Sequence, residues 1–232
     1  MNKIFCRTEM LIGSKGMEIL SQSKVAIFGV GGVGSYVAEA LARSGIGHIV
    51  LIDKDIIDET NINRQIHANI HTIGIAKVIA MKERILCINP CAKVDTYEME
   101  YNSQNSEQLV DEDYDYVIDA IDTISAKIDL AIKCRQMDIP IISSMGAGNK
   151  MDPTAFKVVD IFETHTDPIA RIMRHTLRKY NVDALKVVWS DEPPIKQGSK
   201  NHKAPASIAF VPSVVGLIMA GQVIKELINW GD

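Results

Sequence analysis

The sequence predicts an α/β fold: a Rossmann-like, mainly parallel sheet flanked by helices, with a C-terminal antiparallel extension and a closing helix. Three observations predict it. Residues 24–53 run as apolar segment, glycine turn, helical pattern, apolar segment, acid. From there to residue 150, short apolar runs alternate with helical stretches, the pattern of right-handed crossovers in a parallel sheet. After residue 150 the order changes to two strand-like runs around one helix, followed by a long apolar helical stretch.

Taken in order, residues 1–23 form a helical lead-in interrupted by Gly13 and Gly16. Val25–Phe28 is the first strand, and Gly29-Val30-Gly31-Gly32-Val33-Gly34 turns it into a helix carrying Val37, Ala38, Leu41 and Ala42. That helix stops at Gly45 and Gly47, and the strand Ile49–Ile52 ends at Asp53. Ala76–Asn89 has an apolar helical face and is closed by Pro90. Lys93–Met99 reads as a strand, Ser106–Val110 as a short helix, Tyr116–Ala120 as a buried strand, Ser125–Met137 as a helix and Pro140–Ser144 as a strand. Phe156–Phe162 and Lys186–Ser190 are the two late strands. The helix between them opens at Asp167-Pro168, an acid followed by a proline at the first helical position. Residues 191–206 lack periodic apolar positions and predict a mobile loop, and Pro212–Trp230 closes the chain as a helix.

The bulk properties exclude more than they identify. A chain of 232 residues, 47% hydrophobic and 23% charged, is long enough for one well-packed domain. Its net charge of −4 carries no global basic signature, so any nucleic-acid contact needs a local patch. Cys6, Cys87, Cys91 and Cys134 form no C-x-x-C pair and predict neither a structural zinc site nor a disulfide scaffold. The polar N-terminus lacks a signal-peptide segment, and Ile208–Ile224 is broken by Pro212, Gly216 and Gly221. No membrane span and a cytoplasmic location are expected.

Glycines at a strand-to-helix turn let backbone N–H groups approach phosphates at the positive end of a helix, and Asp53 lies where a ribose hydroxyl would sit. Gly29, Gly31, Gly32, Gly34 and Asp53 therefore point to a nucleotide, without separating a nicotinamide cofactor from ATP. Arg64 follows the second strand and either neutralises phosphate or is simply solvated. Lys77 opens a helix, an unfavourable place for a cation unless an anion is near. Asp119 and Asp122 end a buried strand. A carboxylate there can hold Mg2+; for Asp122, capping of the next helix is the competing reading, and the two roles are compatible. His67 and His71 have the spacing of a metal pair, but with no third ligand they read as surface histidines.

Residues 168–203 hold Arg171, Arg174, Arg178, Lys179, Lys186, Lys196, Lys200 and Lys203 against Asp183, Asp191 and Glu192. Arg171, Arg174 and Arg178 recur on one helical face. Such a face is either solvated or contacts phosphates.

As a set, GxGGVG, Asp53-Lys54-Asp55, Asn61-Ile62-Asn63-Arg64-Gln65, Lys77 and Asp119-Ala120-Ile121-Asp122 resemble the adenylating superfamily of ubiquitin-activating enzymes and their bacterial relatives. Within it the chain is most similar to the tRNA threonylcarbamoyladenosine dehydratase family. That resemblance rests on RTEMLIG at Arg7–Gly13, YVAEALARSGIG at Tyr36–Gly47 and INRQIHA at Ile62–Ala68. It continues in YVIDAIDTISAK at Tyr116–Lys127, GAGNKMDPT at Gly146–Thr154 and DPIARIMRHTLRK at Asp167–Lys179.

The resemblance implies an ATP- and Mg2+-dependent enzyme acting on tRNA that bears threonylcarbamoyladenosine, through an acyl adenylate. Gly32, Asp53, Asp55, Asn63 and Gln65 would contact ATP, Asn61, Arg64 and Lys77 would hold it at the phosphates, and Asp122 would position the metal. Arg171, Arg174, Arg178 and Lys179 would meet tRNA. Arg7 would reach the ATP of a second subunit, implying a homodimer. A monovalent cation and a sulfur-transfer partner protein are left open. The readings weighed against it are an adenylyltransferase for a sulfur-carrier or ubiquitin-like protein, an NAD-dependent oxidoreductase and a silent nucleotide-binding scaffold. On the same reading the chain is a single adenylating domain over 1–232. It comprises the lead-in 1–23, a nucleotide-binding core over 24–150 and a substrate-side extension over 151–232.

Overall fold

The structure, a computed structural model, describes residues 3–196 and 205–231. Seven strands form one sheet in the order β3-β2-β1-β4-β5-β7-β6. They are β1 (Lys24–Phe28), β2 (His48–Ile52), β3 (Lys93–Tyr97), β4 (Tyr116–Asp119), β5 (Ile141–Ser144), β6 (Phe156–Asp160) and β7 (Lys186–Ser190). Every neighbouring pair is parallel except β6 with β7. The helices are α1 (Cys6–Gln22), α2 (Gly34–Ser44), α3 (Lys77–Ile88), α4 (Ser106–Leu109), α5 (Ile124–Gln136), α6 (Pro168–Lys179) and α7 (Phe210–Leu227).

The apolar runs read as strands because both faces of this sheet are covered. Val25 and Ile27 of β1 enter the core shared with α2, α3 and α7, whereas Ala26 and Phe28 enter the core under α5. Successive strand side chains point to opposite faces, so a doubly covered strand carries no polar alternation. β1 lies between β2 and β4, and the chain leaves in opposite directions on its two sides. That reversal opens a crevice at the carboxyl ends of β1 and β4, where open α/β sheets take ligands.

The late strands differ from expectation in where they attach. β7 pairs parallel with β5, Ile142 opposite Lys186, and so extends the main sheet; the antiparallel element is the edge strand β6 alone. β6 also ends at Asp160, earlier than Phe162. The Asp160 carboxylate accepts N–H bonds from Phe162 and Leu185, at 2.8 and 3.0 Å, and turns the chain. Gly13, with φ 75° and ψ 171°, kinks α1 at one of its expected interruptions. α2 ends at Gly45 in the left-handed region, φ 93°.

α7 is long and apolar enough to cross a membrane, and 44% of it is buried within the protein. It packs on α2, where a Cβ on Gly216 would lie 2.4 Å from the Val33 carbonyl oxygen. Residues 197–204 of the expected loop, with Lys200 and Lys203, lie outside the described residues. Its two shoulders meet Asn149: Ile195 N–H donates to the Asn149 carbonyl at 2.7 Å, and Ala206 N–H to Asn149 Oδ1 at 2.8 Å.

Candidate active site

A cavity of about 620 Å3 occupies the crevice, walled almost wholly by the segments that follow strand carboxyl ends. Gly29, Gly31 and Gly32 come from the turn after β1, and Asp53, Asp55, Asn61, Arg64 and Gln65 from the segment after β2. Lys77 opens α3, Asp122 follows β4, and Ser144 ends β5 with Met145–Gly148 following it. Met99, Glu100 and Tyr101, none of them singled out by pattern, complete one end. They are read as site residues only once β3 is known to lie beside β2.

Steric fit holds the glycine turn in place. Gly29 has φ +89°, and a Cβ there would lie 2.6 Å from the Ala120 carbonyl oxygen, so the turns after β1 and β4 touch. Gly34 is not on the cavity wall. A Cβ on it would fall 1.9 Å from the Gly29 carbonyl oxygen, which makes its role the close packing of α2 on the turn.

Asp53 accepts the Val30 N–H at 2.7 Å and the Asp55 N–H at 2.9 Å, fixing the turn while leaving lone pairs toward the cavity. Burial pushes its carboxyl above the usual range, against the pull of Lys77. Lys77 is buried, with Nζ 2.6 Å from Asp55 Oδ2 and 4.0 Å from Asp53 Oδ1. These carboxylates offset the cost of an ammonium at a helix N-terminus. A phosphate entering the cavity can take the place of the half-exposed Asp55.

Arg64 donates from Nη1 to the Thr60 carbonyl at 2.8 Å and to Asn63 Oδ1 at 2.9 Å, so its other N–H groups stay available beside Gly32. Asn61 Oδ1 accepts the Asp58 N–H at 3.1 Å in a capping box, which stiffens the loop that carries Arg64. Asn63 is exposed and off the wall; its Nδ2 donates to the Ser207 carbonyl at 3.0 Å. Gln65 is buried on the wall with Oε1 unpartnered, an open acceptor for a ligand.

Asp122 does not cap α5. Thr123 stands at that position and no side chain there bonds to the helix. The exposed Asp122 carboxylate has a weak 3.4 Å contact with Thr123 Oγ1. Asp119 is withdrawn from any metal role, since its Oδ2 pairs with Lys127 at 2.9 Å. Among the described residues, no group of three or more His, Cys, Asp or Glu could hold a metal ion. One carboxylate beside a phosphate cradle suits Mg2+, which keeps several waters and takes phosphate oxygens.

Residues 5–232 match the ThiF family. The chain belongs to that family. Over 97% of its length it is 51% identical to a tRNA threonylcarbamoyladenosine dehydratase of Bacillus subtilis (strain 168), spanning 94% of that protein. It superposes with a TM-score of 0.91 and 34% identity on the crystal structure of E. coli tRNA N6-threonylcarbamoyladenosine dehydratase in complex with ATP, with 98% and 94% of the two chains covered. The complex of that E. coli protein with AMP gives a TM-score of 0.89 at 34% identity, covering 96% and 93%.

In this ThiF-family chain the basic helix starts at the cavity rim. Ile169 of α6 lines the cavity, and the Asp167 carboxylate caps α6 through the Ile169 and Ala170 N–H groups at 2.7 and 3.0 Å. Its other oxygen accepts the Gly146 N–H at 3.1 Å, tying the helix to the cavity wall. Arg171 and Lys179 are exposed, Arg174 Nη1 donates to Thr164 Oγ1, and the Arg178 guanidinium lies 5.1 Å from the centre of the Phe162 ring. Arg7 is exposed on α1 and is not on the wall of its own chain's cavity.

His67 departs from the surface reading. It is 3% exposed with neither ring nitrogen partnered, and burial, helped by Lys77 and Arg84, pushes its pKa down to about 4. As pH falls from 6.5, the unfolded chain takes up this proton before the folded one. The stability associated with neutral His67 is therefore present above pH 6.5 and lost towards pH 4, amounting to about 3 kcal/mol. Urea unfolding of wild type and His67→Leu at both ends of that window should show a shallower acid loss in the variant; equal losses would contradict this.

Proposed function

We propose that this chain is an ATP-dependent tRNA threonylcarbamoyladenosine dehydratase working through an acyl adenylate. The observation that carries the reading is one cavity that gathers the glycine turn, Arg64, Lys77 and Asp122, with the basic helix α6 starting at its rim. The similar B. subtilis and E. coli proteins bear that activity in their names.

The threonyl carboxylate is a poor electrophile. Its oxygen attacks the α-phosphorus of ATP, the α–β phosphoanhydride bond breaks and pyrophosphate leaves. The carbamoyl portion of the same modification then attacks the activated carbonyl, loses a proton, closes a ring and expels AMP. The nucleoside is left short of one water, its oxygen carried away on AMP. Arg64 and Lys77 neutralise charge as it builds on the phosphates, and Asp53 orients the ribose. Asp122 would hold Mg2+, which when bound supplies further charge neutralisation. Gly146–Gly148 and Ile169 shape the side where the modified nucleoside enters.

Modified tRNA, and not a carrier protein, should stimulate AMP release from ATP. Stimulation by a sulfur-carrier protein alone would overturn the reading. No cysteine follows Cys134, whose thiol burial pushes up to about 12, so a thioester relay has no nucleophile in the second half of the chain.

The reading carries a cytoplasmic location and a homodimer with it. Arg7 would reach the partner's cavity, and the exposed Met10 and Leu11 on α1, at 84% and 72%, support a covered face there. The charge reversal Arg171→Glu with Arg178→Glu should raise KM for tRNA about tenfold or more and flatten its salt dependence by about two units of slope, with KM for ATP unmoved. An unmoved tRNA KM would remove α6 from the interface.

A further inference from the structure

Behind the cavity floor lies a buried ion pair that the chemistry above does not use. Lys127 is 1% exposed and Asp119 fully buried, yet Lys127 still contributes to the cavity wall. Lys127 Nζ sits 2.9 Å from Asp119 Oδ2, which also accepts Ser143 Oγ–H at 2.7 Å. Asp119 Oδ1 accepts the Ile121 N–H at 3.1 Å. The carboxylate is thus saturated by groups that fix its place. A buried pair of this kind is a poor stabiliser, because desolvating both charges offsets their attraction.

What the pair does locally is fix the residue before Asp122, at the point where α5 begins. Lys127 Nζ donates to the carbonyl of Ile121 at 3.2 Å, one residue before Asp122. The backbone N–H of Lys127 donates to the carbonyl of Thr123 at 3.1 Å, one residue after it. The Ala120–Ile121 peptide that leads into this turn abuts Gly29, where no side chain would fit. The Asp122 carboxylate itself has little to hold it, so its direction is set by its backbone.

We propose that Lys127 is a positioning residue that aims the Asp122 carboxylate at the metal–nucleotide complex, its ammonium holding the Ile121 carbonyl just before Asp122 while the first turn of α5 fixes the chain just after it. The proposal rests on the reading of Asp122 as the Mg2+ carboxylate. Removing both charges, as Asp119→Asn with Lys127→Met, avoids leaving either one buried alone.

The measurement is calorimetric binding of the α,β-methylene analogue of ATP, with Mg2+ and with a chelator, to wild type, the double variant and Asp122→Asn. The metal-dependent gain in affinity should fall about tenfold in the double variant, as in Asp122→Asn, with metal-free affinity and Tm held. A wild-type-like gain in the double variant, or equal losses with and without metal, would overturn the proposal. No gain from metal in wild type would overturn the Asp122 reading itself, and the positioning role with it.

Discussion

Lys77→Ala should lower kcat by about 100- to 1,000-fold, the cost of deleting one preorganised group that faces developing charge. The loss should fall on turnover and not on folding. Lys77 lies between Asp53 and Asp55, but Asp55 is half exposed and regains water when the ammonium is gone. Asp53 keeps its two backbone donors, and its carboxyl, already raised by burial, rises further without the Lys77 charge. Arg64→Ala should behave alike, because the Thr60 carbonyl and Asn63 that it contacts are exposed and lose little. AMP release under saturating ATP and modified tRNA is the assay, with thermal unfolding alongside. Wild-type turnover in either variant would take that residue out of the site.

Gly34→Ala should cost about 3 kcal/mol, roughly 10 °C of Tm, and weaken nucleotide binding with it. The added methyl would sit 1.9 Å from the Gly29 carbonyl oxygen, and backbone cannot yield as a flexible side chain can. The matched control is Gly221→Ala within α7, where nothing lies within 4 Å of the new methyl. That change should be neutral or stabilising by up to about 1 kcal/mol, from the better helix propensity of alanine. Equal unfolding temperatures for the two variants would contradict the packing role given to Gly34.

The first strand-helix-strand unit is legible in the sequence because its strands are buried on both faces and its breaks fall on glycines. Gly29 and Gly45, both at positive φ, punctuate the chain where the pattern expects them. Strand order is not legible in this way. Nothing in Lys186–Ser190 says that it will pair parallel with β5, since that depends on the path taken by 156–185. Asp160 ends β6 early because its carboxylate prefers two backbone N–H groups to the ladder, a choice that involves residue 185.

Within the site, Gly29, Gly31, Gly32, Asp53, Asp55, Asn61, Arg64, Gln65, Lys77 and Asp122 all reach one wall. Gly34 and Asn63 belong to the same motifs but serve packing and loop attachment. Lys127 was hidden inside a plain helical pattern. Its partner Asp119 comes from a different element, and a lysine facing inward looks like one facing water until the sheet is built. His67 was misplaced for the same reason, since spacing alone does not distinguish a buried imidazole from an exposed one.

The most direct test of the acyl-adenylate account follows the carboxylate oxygen. Modified tRNA carrying heavy oxygen in its threonyl carboxylate is incubated with the enzyme, ATP and Mg2+, and the nucleoside and the released nucleotides are weighed by mass spectrometry. The account predicts a nucleoside lighter by one water and one heavy oxygen in AMP. Label in inorganic phosphate, or an unchanged nucleoside with AMP released only when a carrier protein is supplied, would contradict it.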